Sequence, residues 1–420
     1  MALGTVGSAM TYKQLLKLHK ARESKIVSHE FKFKGNPVNW GSWRQFAAGT
    51  DDSAARRSVF DDFIEKSAVV APVVQARFET YRGFLDRYET DPLSVYLEQE
   101  RLNYDRLISL VQNLGDSVRR PFRNSLERYS EEILGRPAEY YDDYYFFRNR
   151  VFRRYAARLP TKDKPIDKIV KTMKRMGLDA SNLAVDDADR KGKTASAFCS
   201  AIKVPTDVRI SYRKANPLED FASVFHEFGH GIHFSSISSE ASFADRYGVA
   251  NGVAEIFSIF FEGLIHEKAF LTTELGMPGG VAEDIIERFR FNSLFFAAFY
   301  AANSAFKLAY WHDGVQFDRL DRLYSDLTER FMGIRYPGAY WKLHHVLPEY
   351  FLYSPSYLVA AVRALELRDA LVARFGERYW REPGSGKVVF DLMLPGQSLD
   401  LGYSRLDEAA YVKSLSQAGS

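Results

Sequence analysis

Apolar residues recur at three- and four-residue spacing through most of the first half of the chain, which predicts a series of amphipathic helices. Helix-breaking residues divide this region at Asp91-Pro92, Gly115 and Pro160. The predicted helices cover residues 52–85, 92–114, 117–135, 138–158 and 163–177. They predict an N-terminal helical lobe over residues 11–185. Residues 1–10 lack the features of a signal peptide, resemble a cloning remnant and are left out of this prediction.

The pattern changes in the second half of the chain, residues 186–420. Residues 197–212 alternate between apolar and polar positions and contain Val208 and Ile210, which predicts a small β-sheet. Residues 221–234 follow with the sequence FASVFHEFGHGIHF, whose apolar positions have helical spacing. We therefore predict a helix next to the sheet, with one face of this helix in the core.

This predicted helix carries the chain's most informative motif, His226-Glu227-Phe-Gly-His230. Four-residue spacing places both imidazoles on one face of a helix, where their nitrogens can bind a zinc ion while Glu227 faces the metal-bound water. The alternative interpretation is a buried helix whose histidines are hydrogen-bonded core residues. The combination of two histidines and a carboxylate favours the metal site.

A catalytic zinc normally takes three protein ligands, so a third ligand is expected downstream. Glu255 is the best candidate, because it opens an apolar helical stretch in which an unpaired carboxylate would be costly. No Lys or Arg lies between Tyr247 and Glu267 to neutralise it. Glu262 and Ser258 are candidates for supporting contacts that orient the ligands. For Glu262, a solvated or paired helix residue is the alternative.

Three further segments join this motif in a family resemblance. Residues 192–199 read GKTASAFC, residues 353–357 read YSPSY, and residues 383–385 read PGS ahead of Gly396. Together with FHEFGHGIH and VAEIFSIFFE they resemble the zinc oligopeptidases of the thimet oligopeptidase and oligoendopeptidase F group, which are gluzincins. The resemblance covers roughly residues 186–405.

The resemblance implies peptide-bond hydrolysis with one Zn²⁺ per chain, held by His226, His230 and Glu255, and with Glu227 as the base. It implies a mainly α fold of the gluzincin type, with two helical lobes around a substrate cleft and a small β-sheet next to the zinc-binding helix. Members of the family have a longer helical region before this helix, so the first lobe is expected to be abbreviated. Many members also have a histidine a few residues before the substrate-binding tyrosines, where this chain has Pro348, Glu349 and Tyr350. The nearest histidines, His344 and His345, lie slightly earlier, and His345 is the candidate for substrate binding.

A second electrophile is expected to stabilise the oxyanion that forms during hydrolysis. Tyrosine hydroxyls suit this task because they are neutral at pH 7 and can donate a hydrogen bond. The candidates are Tyr350, Tyr353 and Tyr357, of which Tyr353 is the preferred catalytic group. On a helix, Tyr353 and Tyr357 would point the same way. The alternative is that these three are ordinary core aromatics in a chain with 24 Tyr.

Composition limits the possible partners. Lys and Arg (57) nearly balance Asp and Glu (54), and the net charge of +3 gives no electrostatic case for nucleic acid or a membrane surface. Residues 291–311 form the most apolar stretch, but polar residues interrupt it, which predicts a buried core helix. The single cysteine, Cys199, excludes an intramolecular disulfide and fits the cytoplasm. We interpret Cys199 as structural. The expected partners are peptides, and the oligomeric state stays open.

Two alternatives to an oligoendopeptidase remain. A zinc carboxypeptidase of the carboxypeptidase Taq type also has a His-Glu-x-x-His helix and a distant Glu, but that group places a His immediately before the third ligand, where this chain has Ala254. A non-catalytic peptide-binding protein on the same fold is the further alternative. Intact Glu227 argues against it, because a binding protein needs no general base beside the metal. The sequence therefore predicts a zinc metallopeptidase that cleaves internal bonds of short or unstructured peptides.

Overall fold

The computed structural model describes the chain apart from a set of short ranges, namely residues 1–4, 29, 34–35, 40–42, 88–90, 153–163, 191–192, 194–196, 215–216, 344–351, 401–405 and 417–420. The chain forms two compact units, each built from three segments. The first unit contains Met1–Glu98, Asn103–Val151 and Phe291–Pro355. The second unit contains Gln99–Leu102, Phe152–Arg290 and Ser356–Ser420. The single boundary proposed after residue 185 stays a prediction about domains.

Helices dominate both units. In chain order the first eight are α1 (Thr5–Val27), α2 (Trp43–Gly49), α3 (Ser53–Arg87), α4 (Pro92–Glu100), α5 (Tyr104–Leu134), α6 (Asp143–Tyr145), α7 (Pro165–Met176) and α8 (Pro217–Ser236). They are followed by α9 (Phe243–Tyr247), α10 (Asn251–Glu262), α11 (Lys268–Thr273), α12 (Gly279–Trp311), α13 (Leu320–Met332), α14 (Tyr353–Phe375), α15 (Pro383–Met393) and α16 (Glu408–Ser416). A π-helical turn spans Phe146–Arg150, and short 3₁₀ turns span Tyr140–Asp142, Gly263–His266, Phe317–Arg319, Gly338–Leu343, Tyr379–Arg381 and Gly396–Ser398.

Among the described residues, five strands form two small sheets. The strands are β1 (Glu30–Phe33), β2 (Asn36–Asn39), β3 (Leu183–Asp186), β4 (Phe198–Lys203) and β5 (Asp207–Ser211). β1 and β2 pair antiparallel, and the other three have the order β3-β5-β4. β3 runs parallel to β5, and β4 runs antiparallel to it. The sequence predicts the β4–β5 pair but not β3, because parallel pairing depends on partners distant in sequence.

The first unit corrects one predicted helix break. Gly115 lies inside α5, which runs without interruption to Leu134. A Cβ atom at Gly115 would lie 2.7 Å from Cδ1 of Phe331 and 2.9 Å from Cβ of Ala301, so this glycine allows a close approach and does not end the helix. The break falls earlier, where the side chain of Asn103 caps α5 by accepting a hydrogen bond from the Arg106 N–H at 2.8 Å.

The second unit packs α8 between the three-stranded sheet and α10, and glycines make both approaches possible. A Cβ atom at Gly231 would lie 3.0 Å from side-chain atoms of Ile210 on β5 and Leu183 on β3. A Cβ atom at Gly229 would lie 2.5 Å from the carbonyl oxygen of Phe257 on α10. The backbones of α8 and α10 are therefore almost in contact.

The predicted fold class is confirmed: the protein is mainly α-helical, with a small sheet beside the helix that carries the His-Glu-x-x-His motif. Residues 291–311 lie within α12, and many of their side chains are buried, as predicted. Among the described residues, no helix is both long enough and apolar enough to traverse a bilayer.

Candidate metal centre

α8 and α10 bring three potential metal ligands together. His226 and His230 lie one turn apart on α8, with ring centroids separated by 4.9 Å. Glu255 lies in the first half of α10, and its Oε2 atom is 3.4 Å from Nε2 of His226 and 3.5 Å from Nε2 of His230. The three ligand atoms lie within 4.8 Å of one another. This set could hold a metal ion.

These distances can be compared with the requirements of zinc. Two ligand atoms about 2.0–2.1 Å from a zinc ion at tetrahedral angles lie about 3.3–3.4 Å apart. Both measured nitrogen–oxygen distances agree with this separation within 0.2 Å, the tolerance expected of a metal site. Two imidazoles and one carboxylate also form a known donor set of catalytic zinc, with a fourth position left for water. The residues therefore fit the metal that the sequence predicts.

Two further side chains contact the potential ligands. Oε2 of Glu262, the last residue of α10, lies 2.9 Å from Nδ1 of His226. Nδ1–H of His226 can donate to this carboxylate, which leaves Nε2 free to bind a metal. The hydroxyl of Ser258 lies 2.8 Å from Oε2 of Glu255 and can donate to it. The structure thus brings Glu262 and Ser258 to the ligands that they were expected to orient.

The electrostatics around the two histidines differ. Burial by itself lowers the pKa of His226, but hydrogen bonds and charge interactions with Glu255 and Glu262 raise this pKa well above its ordinary value. Burial lowers the pKa of His230 to about 4, against the opposing effect of Glu255. His230 is therefore neutral at pH 7, the state that a metal ligand requires. The two carboxylates make the surroundings of His226 favourable for a cation.

Glu227 lies beside these groups and is partly buried. Burial raises the pKa of Glu227 to about 7, with further contributions from Glu255 and Glu262, whereas His226 and the backbone amide of Cys199 favour the ionised form. A pKa near neutrality suits a group that must both accept and return a proton. Burial and the charge of Glu227 raise the pKa of the Cys199 thiol to about 12, which agrees with the interpretation of this cysteine as structural.

The remaining predicted residues lie between positions 345 and 357 of the sequence, around the start of α14. Tyr353 is the first residue of this helix and belongs to the first unit, and Tyr357 lies one turn later in the second unit. Both tyrosines are half-buried. Tyr350 and His345 lie outside the described residues. The roles predicted for these four residues stay predictions.

Two polar groups near the centre were not predicted from sequence. His233 lies on α8 one turn after His230, is fully buried, and has no hydrogen-bond partner for either ring nitrogen among the described residues. Its ring packs against Phe257 with centroids 4.5 Å apart. Glu100, at the end of α4, contacts the start of α10. No local pattern could identify Glu100, because its partners are distant in sequence.

Comparison with known proteins rests on structure alone, since sequence comparison finds no matching family model and no matching curated protein. A solved structure of PZ peptidase A with an inhibitor has a TM-score of 0.71 and 13% identity, over 96% of this chain and 75% of that one. A protein from Bacillus anthracis described as an oligoendopeptidase F has a TM-score of 0.66 and 14% identity, over 97% of this chain and 73% of that one. The chain has the fold of these peptidases.

A second group of solved structures shares less of the fold. A carboxypeptidase from Deinococcus radiodurans has a TM-score of 0.57 and 14% identity, over 90% of this chain and 78% of that one. The oligopeptidase resemblance inferred from sequence is therefore confirmed at the level of fold.

Proposed function

We propose that the protein is a zinc-dependent metallopeptidase that hydrolyses internal bonds of short or unstructured peptides. The observation that carries the proposal is the convergence of three ligand atoms, from His226, His230 and Glu255, within 4.8 Å of one another, with Glu227 beside them. His226, His230 and Glu255 would hold the ion, and Glu262 and Ser258 would orient two of these ligands. The peptidases that share the fold support peptides as the substrate class.

Glu227 is the proposed general base. Zinc, when bound, would supply Lewis acidity that polarises the scissile carbonyl and makes water a better nucleophile. Glu227 would accept a proton from the attacking water and return it to the leaving nitrogen. Its burial keeps this carboxyl from being fully solvated, which matches its basicity to neutral pH.

The edge of the small sheet is the proposed binding site for the substrate backbone. β4 pairs with β5 on one side, and no other described strand pairs with β4. The backbone amide of Cys199, in β4, interacts with Glu227, so this strand lies beside the proposed base. An extended peptide can add to such an edge through main-chain hydrogen bonds, which would allow many substrate sequences to bind.

A tyrosine hydroxyl is the proposed donor to the oxyanion. Tyr353 is the preferred group, with Tyr350, Tyr357 and His345 as substrate-binding candidates. A neutral phenol in this role would contribute a hydrogen bond only as negative charge develops on the carbonyl oxygen. The single Cys199 supports the cytoplasm as the location.

Glu227→Gln tests the proposed function. The amide has nearly the same shape but cannot accept the proton, so zinc content should stay at one per chain while hydrolysis falls by about 10²–10⁴-fold. Hydrolysis is measured with an internally quenched peptide, and zinc by elemental analysis of the dialysed protein. Glu255→Ala is the companion variant and should lose both zinc and hydrolysis. Turnover retained in Glu227→Gln, or full zinc occupancy in Glu255→Ala, would contradict the assigned roles.

The carboxypeptidase alternative is supported by the solved carboxypeptidases with the same fold, although their TM-scores are lower. The two activities differ in their need for a free C-terminal carboxylate. We expect cleavage of a peptide whose C-terminus is amidated, with fragments that mass spectrometry assigns to internal cuts. Stepwise loss of C-terminal residues from the free acid, with no reaction of the amide, would instead favour the carboxypeptidase.

A further inference from the structure

Glu100 is a buried carboxyl group that the proposed mechanism does not use. It is the last residue of α4 and only 1% exposed. Its Oε1 atom accepts two hydrogen bonds, from the Gly252 N–H at 2.8 Å and from the Ser356 hydroxyl at 2.6 Å. Its Oε2 atom is buried without a hydrogen-bond partner among the described residues. Burying a carboxyl group is costly unless hydrogen bonds offset the cost, so these two hydrogen bonds are what holds Glu100 in place.

The first role is at the start of α10. The first N–H groups of a helix have no partner within the helix, and a side chain at the N-cap usually accepts from one of them. The N-cap residue here is Ala250, which has no such group. Glu100, which precedes Gly252 by 152 positions, accepts from the Gly252 N–H instead, and a carboxyl oxygen is favourable at this end of a helix. The first turn of α10 is thus held by a distant residue.

A second distant side chain acts at the same point. Oε1 of Gln397 accepts a hydrogen bond from the Ala250 N–H at 2.6 Å, and its amide donates to the carbonyl of Gln99 at 2.8 Å. Arg101 donates to the Gln397 carbonyl at 2.8 Å. Arg101 also has a φ angle of 53°, which is unfavourable for a residue with a side chain. The segment Gln99–Leu102, called the brace below, therefore contacts the first turn of α10 directly through Glu100 and indirectly through Gln397, all within the second unit.

The brace also reaches α14. Ser356 lies in the first turn of that helix, next to Tyr357. One oxygen atom of Glu100 therefore joins the start of α10, which carries Glu255 one turn later, to the start of α14. A displacement of Glu100 would therefore disturb both hydrogen bonds.

Gly252 shows how close this contact is. A Cβ atom at position 252 would overlap Oε2 of Glu100. Glycine in a helix costs about 1 kcal/mol relative to alanine, so its presence in the first turn of α10 needs a reason. The close approach of the Glu100 carboxyl supplies that reason.

We propose that Glu100 is a positioning residue for the metal centre: by fixing the first turn of α10 from outside the helix, it sets the position of Glu255 and hence the affinity for zinc. The inference rests on the proposed function only in taking Glu255 as a zinc ligand. Glu100 would act on Glu255 through the backbone of α10.

The test is the dissociation constant for Zn²⁺ of the full chain, measured by competition with a chromophoric chelator. Glu100→Ala removes the acceptor and should weaken zinc binding by about tenfold, at the lower end of losses for residues that support metal ligands. Glu100→Gln keeps an oxygen acceptor and should stay within about twofold of wild type. Ser356→Ala removes the hydroxyl contact between α14 and Glu100 and leaves the contact to Gly252, so the zinc affinity should again change by less than about twofold.

Gly252→Ala disrupts the same contact by changing the other partner, because the new methyl group displaces the Glu100 carboxyl group. It should weaken zinc binding as Glu100→Ala does. In the double variant Glu100→Ala/Gly252→Ala, the new methyl group no longer overlaps a carboxyl group. The fold loss in zinc affinity should therefore be smaller than the product of the losses in the two single variants. Glu274→Ala is the control: Glu274 is a buried carboxylate of the same unit, bonded to Arg175 and Arg381. Its loss should lower thermal stability and leave zinc affinity unchanged.

A folded Glu100→Ala protein with wild-type zinc affinity would overturn the inference. If that variant fails to fold, unchanged affinity in Gly252→Ala would overturn it equally. A loss in Glu274→Ala as large as that in Glu100→Ala would also overturn it, since zinc affinity would then follow general stability. Wild-type protein that binds zinc but hydrolyses no peptide would refute the proposed function and leave this inference standing. Wild-type protein that binds no zinc would refute both.

Discussion

α8 and α10 approach each other closely at Gly229, so the substitution Gly229→Ala has opposing effects on the stability of the protein. In Gly229→Ala the new Cβ atom would lie 2.5 Å from the carbonyl oxygen of Phe257 and 2.6 Å from Cα of Ser258. Both are backbone atoms, so no side-chain rotation can relieve the overlap. Ordinary contact begins near 3.4 Å, and α10 would therefore have to move by about 0.8–0.9 Å.

Two effects oppose each other in this variant. Alanine favours a helix over glycine by about 1 kcal/mol, and overpacking of a core contact costs about 1–3 kcal/mol. Zinc affinity should respond more strongly than stability, because metal–ligand distances tolerate changes of only about 0.2 Å and Glu255 moves with α10. We expect Gly229→Ala to lose up to about 2 kcal/mol of unfolding free energy without metal, because the two effects partly cancel. Zinc affinity should fall by at least about tenfold.

The assay combines urea unfolding of the EDTA-treated protein with chelator competition for zinc. Gly83→Ala is the matched control, because Gly83 lies inside α3, is exposed, and has no atom within 4 Å of an added Cβ. That variant should gain stability by up to about 1 kcal/mol and bind zinc normally. The reasoning would be refuted if Gly229→Ala were stabilised as much as Gly83→Ala and kept wild-type zinc affinity.

Two further predictions concern charged groups of the second unit. Glu262→Ala removes the acceptor for Nδ1–H of His226 and should weaken zinc binding by about 10–100-fold; affinity equal to wild type would exclude an orienting role for this contact. Glu274→Gln tests a pH dependence of stability. Burial by itself raises the pKa of Glu274, but hydrogen bonds from Arg381 and Arg175 lower it below its ordinary value of 4.5. Above about pH 5, the unfolding free energy of wild type should therefore exceed that of Glu274→Gln by about 2–3 kcal/mol. This difference should shrink as the pH falls through the lowered pKa of Glu274. Thermal unfolding of both proteins from pH 7 to pH 3 measures this, and a difference independent of pH would contradict it.

The sequence predicts the parts of the site that depend on local spacing. His226 and His230 face the same way because a helix repeats every 3.6 residues, and this holds for any packing of α8. Glu255 was identified because an unpaired carboxylate is costly in an apolar helix, and the structure places its Oε2 beside both imidazoles. The position of Ser258 relative to Glu255 follows from helical spacing in the same way.

Other features depend on partners that no local window contains. Gly115 was predicted to break a helix, since a glycine looks the same in sequence whether it ends a helix or admits a neighbour. Its partner Phe331 lies on α13, far along the chain. β3 was missed because its parallel partner β5 follows it by more than twenty residues and imposes no turn signal. Glu100 gave no signal for the same reason.

These contacts together explain how α10 can hold Glu255 at the required distance. A rigid helix is located by fixing its two ends and its rotation. Glu100 binds the start of α10, and Gly229 sets the distance between the middle of α10 and α8. Glu262, the last residue of α10, contacts His226. The first two contacts involve the backbone of α10 and resist translation, whereas the third involves a side chain and resists rotation. Variants at Glu100 and Gly229 should therefore change zinc affinity together with the stability of the metal-free protein. Glu262→Ala should change zinc affinity with little effect on that stability, because Glu262 is partly exposed.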